Sequence, residues 1–143
     1  MAILEQVQAD TRTALKAGER ERVSALRMVA DALQKDAKQG GDDEVAVLRR
    51  ERKRRLEAAE AYREGGAAER AESEEAEARE IERYMPAEIS DEELATAVDA
   101  AIAETGASSP GDMGKVMGAV MPKLGGRADG KRVSAAVSER LAS

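Results

Sequence analysis

Apolar residues recur three or four positions apart along nearly the whole chain, and each run stops at glycine or proline. That spacing puts each run on one face of a helix, and no stretch shows the alternation of a half-buried strand. Ile3, Leu4, Val7, Thr11, Ala14 and Leu15 form the first face, closed by Gly18. Val23, Leu26, Val29, Ala30, Leu33 and Ala37 form the second, ended by Gly40 and Gly41. Asp42 or Asp43 then offers an N-cap for a third helix with Val45, Leu48, Leu56, Ala59 and Tyr62 on one side, stopped by Gly65 and Gly66. A fourth, Ala-rich helix from about Ala67 carries Ala71, Ala78, Ile81 and Met85 toward Pro86. Short glycine turns between amphipathic helices predict an antiparallel bundle.

The stretch YMPAEIS interrupts this pattern and predicts a boundary between residues 1–86 and residues 87–143. Pro86 cannot continue a helix, and Ser90 with Glu93 has the spacing of a capping box. Leu94, Val98, Ala101 and Ile102 follow, up to Gly106. Pro110 after Ser109 suits a first helical turn with Asp112 near the positive end of the dipole. That helix runs through Met113, Val116, Met117, Val120, Met121 and Leu124. A last helix opens around Asp129 and carries Val133, Val137 and Leu141. The expected fold is all-α: an N-terminal helical bundle of about four helices plus a C-terminal three-helix lobe. With no Phe or Trp and only Tyr62 and Tyr84, the core must be built from Ala, Leu, Val and Met. A chain of 143 residues buries roughly 68–70% of its unfolded surface, enough for a cooperative core.

The same composition narrows the chemistry. Absence of His and Cys removes the commonest general base, the commonest metal ligand and thiolate chemistry. No serine sits in a nucleophile-elbow context, and the carboxylate pairs at i, i+4 are ordinary for acidic helices. The sequence therefore predicts no catalytic residue, no metal site and no cofactor. No apolar run approaches the ~18 residues of a membrane span, and the N-terminus lacks a signal-peptide pattern. The expected setting is the cytoplasm, away from membranes.

One helix breaks the rules the others follow. Gly114 and Gly118 lie inside its apolar pattern, where each costs about 1 kcal/mol relative to Ala, and Pro122 removes a hydrogen bond near its end. Two explanations stand: a neighbouring helix packs against the bare backbone, or a ligand approaches it. The next residues, GGRADGK, place Gly125 and Gly126 in a turn with Arg127, Lys131 and Arg132 around a helix start. Although the chain carries −6 overall, residues 111–143 hold six cations against three acids, a local balance of +3. Exposed N–H groups, a helix dipole and flanking cations suit phosphate. The P-loop spacing is absent, and no aromatic platform exists for stacking bases, which leaves the backbone of a structured RNA. The candidate nucleic-acid-binding residues are Gly114, Lys115, Gly118, Lys123, Gly126, Arg127, Lys131 and Arg132. A second basic run, RRERKRR from Arg49 to Arg55, is better explained by pairing of Arg52 and Arg55 with Glu residues nearby on the same helix or on the fourth helix. Glu72, Glu74, Glu75 and Glu77 read as a solvated face.

YMPAEISDEEL followed by ETGASSPGDMGKVMGAVMPKLGGRADGKRV resembles the GatB/YqeY family, whose stand-alone members are similar over the full length, including LRMVADALQ. The last third is also similar to the tail domain of the B subunit of the glutamine-dependent aspartyl/glutamyl-tRNA amidotransferase. Gly114, Gly118, Lys123, Gly126, Arg127 and Ala128 carry the likeness, with a departure at Gly125, where a basic residue often stands. The resemblance implies an all-α, non-catalytic, bacterial-type helper that binds tRNA, with the ammonia-transfer chemistry located elsewhere. A tRNA-modifying or translation protein is a further implied partner. Two rivals follow: a helical protein–protein adaptor without an RNA role, and an accessory to carbon–nitrogen ligase chemistry with glutamine as amido-nitrogen donor.

Overall fold

The computed structural model describes residues 2–142. Among them are seven α-helices, one 3-10 turn and no strand, so the chain is all-α. It divides into two compact units, Met1–Met85 and Pro86–Ser143.

In the first unit, α1 (Ile3–Lys16) lies along α2 (Arg20–Lys38), and α3 (Glu44–Glu64) lies along α4 (Ala68–Glu82). The helix α2 touches both members of the second pair, and Val7, Leu26, Val29, Leu33, Val47, Leu48 and Ile81 meet in the core. Asp43 is the cap of α3, its carboxylate accepting from the Ala46 N–H at 3.0 Å. No side chain of its own caps α1. Instead the Glu44 carboxylate accepts from the N–H groups of Ile3 at 3.0 Å and Leu4 at 2.9 Å. An anion there satisfies two otherwise unpaired donors and faces the positive end of the dipole.

The inward face of α3 differs from the one the spacing predicts. Val47 and Leu48 are buried, whereas Leu56 is 43% exposed and its neighbour Arg55 only 6% exposed. Buried alanines on both helices, Ala59, Ala71 and Ala78, let α3 and α4 approach closely. Between them runs the long side chain of Arg55, which donates to Glu51 Oε2 at 2.8 Å and pairs with Glu77 of α4 at 3.4 Å. Seating Arg55 turns Leu56 outward by one residue step. It also withdraws Glu77 from the solvated face expected of it: burial, then the nearby Glu74, lifts its carboxyl above the ordinary range despite Arg55. Glu75 likewise bonds Arg63 rather than water alone. Leu15, expected to face inward, is 58% exposed, because α1 packs chiefly on α2 and a narrow stripe suffices.

The second unit holds α5 (Asp91–Thr105), α6 (Met113–Leu124) and α7 (Gly130–Ala142) around Leu94, Val98, Ala101, Val116, Val120, Leu124, Val133, Val137 and Leu141. Ser90 caps α5 by accepting from the Glu93 N–H at 3.1 Å, and Gly106 ends it at φ +69°, a conformation open to glycine at no steric cost. Pro110 does not begin α6 but a separate 3-10 turn, Pro110–Asp112. The Asp112 carboxylate closes that turn by accepting from the N–H groups of Ser108 at 2.9 Å and Ser109 at 3.2 Å. Those two bonds, the Ser108 one first, hold its pKa below the ordinary aspartate range. Asp129 caps α7 through the Arg132 N–H at 2.7 Å. The segment leading into α5 is strapped down by Arg127: the Ile89 N–H donates to the Arg127 carbonyl at 2.9 Å, and Arg127 Nε donates to the Ala87 carbonyl at 3.2 Å.

Candidate nucleic-acid interface

The register of α6 sorts its residues by face. Val116, Val120 and Leu124 point into the core, so Gly114, Gly118 and Pro122, spaced by four, come out on the opposite side, where all three are exposed. Among the described residues, no heavy atom beyond the helix's own backbone lies within 4 Å of the place a Cβ would occupy on Gly114 or Gly118. Packing within the second unit therefore does not account for these glycines. Their main chain is uncovered. Pro122 adds a second feature: it has no N–H to offer the carbonyl four residues back, so the Gly118 carbonyl on the same face lacks its helical donor. Sequence reasoning noted the proline as a helix breaker but missed that the orphaned acceptor belongs to a glycine.

The cations divide into two groups. Lys123 Nζ sits 2.6 Å from Glu104. Arg127 reaches Glu93 at 3.2 Å, so Glu93, expected to close a capping box, lies with Arg127 instead. Arg132 spans Glu88 at 3.3 Å and Asp91 at 2.6 Å, and its bond to Asp91 raises its pKa further. Arg140 pairs with Asp99 at 2.8 Å. Every one of these acids comes from residues 88–104, a stretch with acids and no base. The local surplus of positive charge is thus taken up by α5 and the segment before it. That acid-only run was the signal in the sequence that could have revealed the pairing. Lys115 and Lys131 are exposed and make no ion pair among the described residues.

The predicted residues thus come together only in part. Gly114, Lys115 and Gly118 share the outer surface of α6, and Lys131 stands in the first turn of α7. Gly126, at φ +82°, shapes the turn between the two helices. Arg127 serves first as the strap described above, and its guanidinium stays partly exposed. No group of acids among the described residues is arranged to hold a metal ion. No helix among them is long and apolar enough to cross a membrane.

The model of the family described as Yqey-like protein matches residues 4–141. No curated protein matches the chain.

Proposed function

The chain belongs to the YqeY-like family, and from that membership and the surface of α6 we propose that it is a non-catalytic helper that binds tRNA, its last lobe related to the tail domain of the tRNA-dependent amidotransferase. The observation that carries this proposal is the uncovered main chain of α6. Gly114 and Gly118 let a ligand backbone come within contact distance, and the Gly118 carbonyl is short of a donor. The 2′-hydroxyl of RNA is such a donor, present in RNA and absent from DNA. Lys115 and Lys131 supply phosphate contacts that position without reading sequence. Exposed ion pairs are worth only about 0.2–1 kcal/mol, so Lys123 and Arg132 can exchange a carboxylate for a phosphate at small cost.

The test is tRNA binding followed across salt concentration. Gly118→Leu should weaken it at least tenfold, about 1.4 kcal/mol, with the fold intact by circular dichroism. Lys115→Glu combined with Lys131→Glu should flatten the log–log salt slope by about 1.5. Full affinity in both variants would remove the surface. One observation favours the adaptor instead: the carboxylates of α5 already occupy Lys123, Arg127 and Arg132. A stoichiometric protein and no RNA after affinity purification would support that alternative.

A further inference from the structure

The outer stripe of α3 carries an ordered charge pattern. Leu56 stands at its middle, 43% exposed; a single exposed leucine says little by itself. One turn before it come Arg52 and Lys53, one turn after it Glu60, and then Glu64. Residues three and four apart are surface neighbours on a helix, so positive charge leads into Leu56 and negative charge leads out. Leu56, Ala59, Glu60 and Glu64 also line a shallow groove completed by Glu75, Ala78, Arg79 and Glu82 of α4, with Ala59 and Ala78 as its apolar floor. Arg63 on the rim is engaged by Glu75. Arg52, Glu60, Glu64 and Glu82 make no ion pair among the described residues, and Lys53 has only Glu57, at 4.0 Å.

We infer that this face is a self-association surface whose occupant is α3 of a second copy of the chain, running antiparallel about a two-fold axis at Leu56. Two-fold contacts use the same patch on both partners, so a residue at +n from the axis meets the residue at −n. Here Arg52 is four before Leu56 and Glu60 four after it, so Arg52 of each copy meets Glu60 of the other, twice per dimer. Lys53 approaches the acidic rim, and the two Leu56 side chains meet over the alanine floors. A polyanion fits the same groove poorly, because Glu60, Glu64 and Glu82 outnumber Arg79 there and repel it. The patch is small, so the dimer is weak and dissociates as salt rises.

Sedimentation equilibrium over a range of protein concentration and salt tests this. The wild-type chain should show a reversible monomer–dimer equilibrium. Arg52→Glu and Glu60→Arg each place like charges across the axis and should each raise the dissociation constant at least tenfold, about 1.4 kcal/mol. An equimolar mixture of the two variants restores opposite charges at both contacts and should dimerise at least as tightly as wild type. Circular dichroism confirms that each variant folds. A wild-type chain that stays monomeric at every concentration overturns the inference, as does a mixture no tighter than its components. Loss of tRNA binding in Arg52→Glu without any change in mass overturns it too, in favour of a polyanion contact.

Discussion

The two units solve the same packing problem with opposite uses of small residues. In the first unit, alanines at Ala59, Ala71 and Ala78 are buried and bring α3 and α4 close enough to enclose an arginine. In the second, the glycines of α6 face outward with no described residue of that unit against them, and the core is closed by Val116, Val120 and Leu124 on the other side. Small residues inside serve the fold. Small residues outside weaken it and return nothing structural.

Breaking the first unit at its most buried charge should produce the largest effect. Arg55→Ala leaves Glu51 and Glu77 without their shared partner and should cost about 3–5 kcal/mol by urea denaturation. A loss under 1 kcal/mol would mean that the enclosed guanidinium adds little to the hairpin. Next in size, Glu44→Ala strips two N–H acceptors from the start of α1 and should cost about 1–2 kcal/mol. Hydrogen exchange should quicken first at Leu4 and the amides next to it.

The second unit should respond to a similar change with the opposite sign. Gly114→Ala and Gly118→Ala should each stabilise it by up to about 1 kcal/mol, since both positions are helical and open, while tRNA affinity falls. Gly106→Ala, at φ +69°, should destabilise. If Gly118→Ala also destabilises, the α6 face is covered in solution.

The smallest effect concerns pH. Asp112 is held low by the Ser108 and Ser109 N–H groups, so its contribution is present above the ordinary aspartate pKa and is lost as pH falls through the lowered native value. Asp112→Asn should flatten the acid limb of stability, read from amide exchange in α6. Glu77 runs the other way: its raised native pKa favours the fold at low pH, and that advantage disappears as pH climbs through the raised value.

Much of the architecture was legible because helix stops are local. Gly18, Gly106 and the Ser90 cap act within a few residues, and the all-α class followed from them. The register of α3 was not legible, since burial of Arg55 depends on Glu77, a partner on another helix. The site was half legible. A helical wheel puts Gly114 and Gly118 on one stripe, but only the fold says whether anything lies across it. The ion pairs of Lys123, Arg127 and Arg132 were hard to see for the same reason: their acids lie 19 or more positions away in sequence, on α5 and just before it.

Arg127 carries an implication for synthesis. The segment before α5 emerges from the ribosome well ahead of the residue that fastens it, which lies 40 positions beyond Ala87. Until those residues are translated, Ala87 to Ile89 lack the strap that ties them to the turn after α6. The Met1–Met85 unit, made earlier, can fold first, and the strap of the second unit closes only after α6 and the turn behind it have been made.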